Sequence, residues 1–331
     1  VKSGATSFRF WLWLATLAGL AVTVSILART GLSDVLAQVA RIRVAGFGVF
    51  CLWFIGVFGV LGAAWHAVAR DEAVGRVGLF VAARMVREAA ADLLPFAQAG
   101  GIVVSVRLLI AHGVPQQRAN GALLVDLTTE MASQVVFSVT GIALFLATVT
   151  ADADAARVRP LILGGTLLML AGAGAFIVAQ RAGLRLAGRI AASVLPGAAR
   201  ATDAVIAELQ AIYARPGLVL RAFAYNLLAW IGSAVGAWLG LRLMGVPASI
   251  GSMVMVESLI FSLRSVAFFI PGALGVQEAG YLLLAPVAQI APEALLALSL
   301  LKRARDLAIG VPTLLCWQMS ALRDIWARHG A

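Results

Sequence analysis

Long apolar runs broken by short polar stretches organise this chain. The runs over residues 10–27 and 44–64 each come close to the roughly 20 residues that a membrane-spanning helix needs. Trp11, Trp13 and Trp65 stand at their ends, as an aromatic belt at the headgroup level would. The polar segment 33–43 between them is expected to lie along the interface. Lys2 and Arg9 precede the first run as in a secretory signal, but its length exceeds the roughly 7–15 apolar residues of a signal core. It is read as a retained first span.

The run 77–91 is interrupted by Arg84, Arg87 and Glu88, and the next, 94–110, carries Pro95 and Gly100-Gly101. The second is short for a crossing, and the pair is expected to form a broken or re-entrant hairpin. Irregular backbone at membrane depth is tolerated only where protein or a wet cavity surrounds it. Residues 119–149 read as one long helix with a polar stripe at Asp126, Thr129, Glu130, Ser133 and Gln134, spaced i, i+3, i+4, i+7, i+8.

A charged linker (Asp152, Asp154, Arg157, Arg159) leads to an expected span over 161–179. Segment 181–215 is basic and amphipathic, with Leu184, Leu186, Ile190 and Leu195 among Arg185, Arg189 and Arg200, and is expected on the membrane surface. The span 218–241 contains Gly232, Gly236 and Gly240, a doubled GxxxG that predicts close helix packing. There follow 250–270, a second broken hairpin at 271–289, a helix over 293–318, and a basic tail with Arg323 and Arg328.

The two hairpins share a rhythm. Pro95 and Pro115 are 20 apart (115 − 95), Pro271 and Pro292 are 21 apart (292 − 271), and a charge follows 11 residues later in both, at Asp126 and Arg303. Weak internal symmetry with interrupted apolar segments in matching positions marks membrane transporters built from inverted repeats, with a site near the midplane. The fold expected is all-α, a polytopic membrane bundle of two inverted-topology repeats, 1–150 and 151–331.

Composition agrees. Of 331 residues 61% are hydrophobic and 13% charged, against about 25% charged in soluble domains. The net charge of +10 would suggest nucleic acid for a soluble domain, but here the arginines sit between apolar runs, as topology determinants and partners of anionic lipid. No nucleic-acid partner is expected. Placing the richest loop, 181–215, in the cytoplasm puts both termini there, with Arg29, Arg41 and Arg43 dissenting on the far side. Cys51 and Cys316 lie in apolar segments without ligand spacing, so neither disulfide nor metal is expected.

Charge within these runs is the candidate chemistry. At the membrane centre Lys302, Arg303, Arg305 and Asp306 would together cost about 10–14 kcal/mol, against about 3–6 kcal/mol returned by the larger aliphatic residues of their helix. They must face protein or water. The same holds for Asp126 with Glu130, and for Glu257 with Arg264, which share a face at a separation of seven. Internal pairing is one outcome, Lys302 with Asp306 or Asp126 with a central arginine; a pathway is the other. The three scattered histidines supply no base beside a nucleophile, so no enzyme and no cofactor is expected.

The stretch Phe269-Ile270-Pro271-Gly272-Ala273-Leu274-Gly275-Val276-Gln277-Glu278-Ala279-Gly280, with Lys302-Arg303 downstream, resembles the signature of the lysylphosphatidylglycerol synthase transmembrane, flippase-like family. Leu94-Pro95 through Arg107-Leu108-Leu109, then Pro115 and Asp126, resembles that family's other motif. Pro-Gly-Ala-Leu-Gly-Val-Gln-Glu is most similar to its hopanoid-biosynthesis-associated members. The likeness covers about residues 10–320. It departs in the first motif, where Gly100-Gly101 stands about a turn out of place and no arginine follows Asp126.

The resemblance implies a multi-pass protein of the bacterial inner membrane that moves or presents a lipid. By position it carries Pro271, Gly272, Gly275, Glu278 and Arg303 into the second motif, and Arg107 and Asp126 into the first. It implies no aminoacyl transfer by these residues alone. The expected mechanism joins both hairpins around a net-basic cavity. There Arg264, Arg303 and Arg305 receive an anionic or polar headgroup, while Glu278, Asp126 and Glu130 balance them, near Lys302 and Asp306. A second reading is a non-transporting scaffold for lipid-biosynthetic enzymes, docked on segment 181–215. A third, an embedded transferase with Glu278 or Asp126 as base, would leave a covalently altered lipid.

Overall fold

The computed structural model describes residues 32–69, 73–93, 97–148, 198–266 and 273–329, with positions 164, 167 and 171. The expected spans 10–27 and 161–179, the basic stretch before residue 198, Pro95, Pro271 and Gly272 lie outside the described residues, save those three positions. Ten α-helices and no strand occur among the described residues. They are α1 (Leu32–Ala40), α2 (Arg43–Val68), α3 (Val77–Leu93), α4 (Ala97–Ala111), α5 (Gln116–Thr148), α6 (Ala198–Tyr213), α7 (Pro216–Leu243), α8 (Ile250–Val266), α9 (Val276–Ala288) and α10 (Pro292–His329).

Among the described residues three helices, α2, α5 and α7, are long and apolar enough to cross a membrane. Their outward side chains are apolar too: Val44, Leu52 and Ile55 on α2, and Leu220 and Leu228 on α7, are largely exposed. Contiguous apolar surface of that kind is a liability in water and a requirement in lipid. The polar interval expected along the interface is α1. The last helix runs farther than its apolar stretch suggested, through Arg323 to His329.

Helix ends follow the glycine and proline punctuation. After α4, Gly113 takes φ 85° and the amide of Val114 donates to the Leu109 carbonyl at 3.0 Å, a left-handed cap that closes the helix before Pro115. After α9, Gln289 takes φ 55° and the amide of Ile290 donates to Ala285, again just before a proline, Pro292. Both prolines therefore sit where a new helix starts, a position that needs no amide hydrogen.

Lengths repeat along the chain. The succession α2, α3, α4, α5 has 26, 17, 15 and 33 residues, and α7, α8, α9, α10 has 28, 17, 13 and 38. Packing repeats with it. The pairs α3·α4, α2·α3, α5·α7, α3·α10, α5·α6, α4·α5 and α2·α5 each have a counterpart: α8·α9, α7·α8, α2·α10, α5·α8, α1·α10, α9·α10 and α7·α10. Exchange of the two sets leaves the α2·α7 contact in the middle.

That central contact is antiparallel. Gly46 meets Leu243, Phe50 meets Gly240, Phe54 meets Gly236 and Val57 meets Gly232, and the Trp53 indole donates to the Gly232 carbonyl at 2.8 Å. The doubled GxxxG supplies the groove into which the α2 aromatics insert, because glycine leaves the helix backbone open to close approach. Phe50 and Phe54 then join Leu241, Leu298 and Leu301 in one apolar core, and Trp65, Phe80 and Leu109 form a second with Leu209 and Ile212 of α6.

Close approach also sets a stability test. A Cβ on Gly62 would lie 2.4 Å from the Val81 Cα, so α2 and α3 would have to separate, whereas Gly59 has nothing within 4 Å. Gly62→Ala is expected to destabilise the detergent-solubilised protein by about 1–3 kcal/mol. Gly59→Ala is expected to be neutral or stabilising. Thermal unfolding of the two variants side by side checks both.

Candidate functional site

Arg84, Glu88 and Asp92 recur every four residues along α3, one face of a helix, and Asp126 and Glu130 stand one turn apart on α5. The Arg84 guanidinium donates from Nη1 to Asp126 Oδ2 and Glu130 Oε2, both at 3.1 Å, and from Nη2 to Glu130 Oε1. Arg87 donates to the same two acids, at 3.3 Å to Asp126 Oδ2 and 2.6 Å to Glu130 Oε2. Glu88 Oε1 lies 2.8 Å from Arg84 Nε, without hydrogen-bond geometry. From α7, Asn226 donates to Asp126 Oδ1 at 3.4 Å. Asp126 and Arg84 are buried, and such charges persist only when paired and hydrogen-bonded on most sides.

The second half answers with the signs exchanged. The hairpin here is formed by α8 packed on α9, and so begins ahead of the expected 271–289. Glu257 on α8 accepts from the Lys302 ammonium of α10 at 2.6 Å and from the Tyr281 hydroxyl of α9 at 2.5 Å. In each half a buried charge on the first hairpin helix thus meets its opposite on the following long helix, Arg84 with Asp126 and Glu257 with Lys302. Lys302 does not pair with Asp306, which holds Arg305 instead. Glu257 does not pair with Arg264: the Tyr281 and Lys302 donors occupy both of its oxygens.

Glu278 begins α9 and takes the free amide of Gly275 at 2.9 Å, the ordinary role of an acid in a helix's first turn. Gly275 has φ 80°, open to glycine and costly for other residues. The other Glu278 oxygen accepts from Ser299 at 2.8 Å and from Arg303 Nε and Nη2 at 3.0 and 2.9 Å. Gln277 extends the network, donating to Ser299 at 2.7 Å and accepting from Arg264 Nη1 at 3.2 Å.

Between the two ion-pair systems lies a cavity of about 130 Å³, room for about four waters at their liquid volume. Its apolar walls are Phe54, Phe58 and Leu61 of α2, Trp230 of α7 and Phe261 of α8; Arg305 stacks over the Phe54 ring at 3.9 Å. Its charges are Arg84, Glu88, Asp92 and Glu130 from the first half and Arg264, Lys302, Arg305 and Asp306 from the second. Among the described residues the lining therefore holds four cations and four carboxylates. The expected net-basic chamber is instead balanced, because α3 brings two acids to it that the motif reading did not use.

Of the residues singled out in the sequence, Glu130, Arg264, Lys302, Arg305 and Asp306 line this cavity and Asp126 stands behind it, bound to Arg84. Glu278 and Arg303 do not line it; their charges are spent on one another at the start of α9. Arg107 is exposed on α4 and does not line the cavity either. In the sequence Arg84, Arg87 and Glu88 read as interruptions of an apolar run, although Arg84, Glu88 and Asp92 stand at i, i+4, i+8. Tyr281, Ser299 and Asn226 carried no sequence signal, since a hydroxyl or amide in an apolar helix is common and only its neighbour makes it a ligand.

A larger cavity, about 370 Å³, opens between α5 and α6 beside Gln116, Gln117, Asn120 and Thr202. Leu123, Leu124, Ala204 and Val205 complete a lining that is half apolar and uncharged among the described residues, and it takes nothing from the ion pairs. Among the described residues no group of three or more His, Cys, Asp or Glu could hold a metal ion.

No curated protein and no solved structure matches this chain. The profile of the lysylphosphatidylglycerol synthase TM region matches residues 12–313, which takes in both hairpins, both ion-pair systems and the whole cavity. The chain belongs to that family, and with its membrane-spanning helices it is a multi-pass membrane protein of lipid metabolism.

Proposed function

We propose that the protein translocates an amphipathic lipid across the bacterial inner membrane, as a flippase-like transporter of two inverted repeats with both termini in the cytoplasm. The observation that carries this reading is the cavity, small and charged, walled in equal part by the two halves and set beside the antiparallel α2·α7 contact. Two halves whose central helices run antiparallel are related by an axis across those helices; if α2 and α7 span the bilayer, that axis lies in its plane. A site on such an axis can face either leaflet by rocking one half against the other.

The cavity holds a headgroup and leaves acyl or polycyclic tails outside, where the exposed apolar faces of α2 and α7 meet lipid. The lipid leaves chemically unchanged, so the protein acts as a carrier rather than an enzyme. The hopanoid-like motif stretch makes a hopanoid-derived lipid one of the substrates to assay. The buried pairs fix each hairpin to the long helix of its own half, while the cavity-facing Arg264, Arg305 and Asp92 address the ligand.

Inverted repeats make a topological test. In a variant with Cys51 and Cys316 replaced by Ser, single cysteines at His112 and Gln289, the matching turns after α4 and α9, are expected to react with an impermeant maleimide from opposite sides of the membrane. Labelling of both from one side removes the inverted arrangement.

Transport and structure are separated by the Glu257–Lys302 pair. Lys302→Met strands a buried carboxylate and is expected to destabilise by about 3–5 kcal/mol. The double variant Glu257→Gln, Lys302→Met is expected to recover most of the thermal stability. In proteoliposomes carrying tail-labelled lipids, with dithionite quenching of the outer leaflet, the refolded double variant is expected to translocate at least tenfold more slowly than the native protein, because the cavity has lost a cation. Native protein that moves no lipid would leave the scaffold reading in its place.

A further inference from the structure

One cation and one anion in the central cavity have no countercharge within ion-pair distance among the described residues, although each lies in the other's field. The other charges at its wall are met within ion-pair distance: Arg84 by Asp126, Glu130 and Glu88, Lys302 by Glu257, and Arg305 by Asp306. Arg264 donates only to the neutral amide oxygen of Gln277 at 3.2 Å and lies 5.8 Å from the centre of the Phe261 ring. Asp92 makes no hydrogen bond or ion pair among the described residues. Both line the same cavity, and no ion pair joins them.

We propose that the cavity selects a zwitterionic phospholipid headgroup, a phosphate ester bearing a short ammonium arm, with the phosphate on Arg264 and the ammonium on Asp92. The proposal rests on reading the cavity as a headgroup site, not on movement of the lipid. A bare anion drawn to Arg264 shares about 130 Å³ with Glu88, Asp92, Glu130 and Asp306, and a bare cation meets Arg84, Arg264, Lys302 and Arg305. A ligand that carries both signs satisfies both ends at once.

Acids also gather on one side. Beside the cavity a narrow groove continues along α3 and α10, lined by Glu88, Asp92 and Asp306 with a single cation, Arg305, which Asp306 holds. Arg264 and Lys302 flank the Phe261 ring instead. Arginine's planar donors suit a phosphate, and aromatic walls reduce the screening that would blur two opposite charges in water. The volume admits a compact head and leaves no room for a glycan.

Binding and movement are measured separately. Detergent-solubilised native protein is offered an equimolar mixture of phosphatidylethanolamine and phosphatidylglycerol, and the retained lipid is read by native mass spectrometry. The same lipids, tail-labelled, are followed in proteoliposomes. Phosphatidylethanolamine is expected to be retained about tenfold over phosphatidylglycerol, the scale of one charge-assisted contact. Asp92→Asn is expected to abolish that preference by lowering phosphatidylethanolamine alone, and Arg264→Gln to lower both lipids.

Equal retention of the two lipids by the native protein, preference for phosphatidylglycerol, or an Asp92→Asn variant that keeps the preference overturns the assignment. Selective retention without movement supports the headgroup assignment and overturns translocation instead. Soluble phosphoethanolamine at millimolar concentration is expected not to displace the bound lipid; displacement would make a soluble ester, not a lipid, the occupant. Melting temperatures check that both variants fold: Asp92 has no hydrogen bond to lose among the described residues, and Arg264 has the one to Gln277.

Discussion

A charge inside an apolar bundle has to be answered by an opposite charge at contact distance, and the architecture here is arranged around that demand. Removing a guanidinium or carboxylate from water costs several kcal/mol, which geometry recovers only when most donors and acceptors are taken up. Arg84 and Asp126, Glu257 and Lys302, and Glu278 and Arg303 each meet the condition with a third group in attendance: Glu130, Tyr281 and Ser299. These contacts are long-range in sequence, so they tie the hairpins to the long helices that follow them.

The two halves solve the problem with the same construction and opposite signs. In the first, the cation rides on the hairpin and the acids on the long helix; in the second, the acid rides on the hairpin and the cation on the long helix. Neither half needs the other for neutrality of its inner pair. What the halves make together is the space between, where Arg264 and Asp92 have no ion-pair partner among the described residues. A satisfied network is rigid and specifying, and unsatisfied groups beside a cavity are where a ligand can change the balance.

Backbone economy supports the same geometry. The glycines of α7 admit Phe50, Phe54 and Val57, so the central contact is close enough for α2 to wall the cavity with aromatic side chains. Gly101 approaches the Arg87 carbonyl so nearly that a Cβ would stand 2.6 Å from it, which holds α4 tightly against the helix that carries Arg84 and Asp92. Small residues thus close the α2·α7 and α3·α4 contacts, and charge ties each hairpin to the long helix that follows it.

Several features were legible in the residues alone: the membrane class, the all-helical build of the described residues, the glycine groove, and the requirement that Asp126, Glu130, Glu257, Arg264 and the Lys302 to Asp306 cluster turn inward. Periodicity, punctuation and the cost of charge in lipid are local quantities, readable from neighbours in the chain. Partner choice is not local. That Lys302 takes Glu257 rather than Asp306, that Glu278 holds Arg303 at a helix start rather than facing the cavity, and that Glu88 and Asp92 turn a basic chamber into a balanced one all depend on distances between helices far apart in sequence. Those distances are set by side-chain packing across the bundle, and only the tertiary structure decided them.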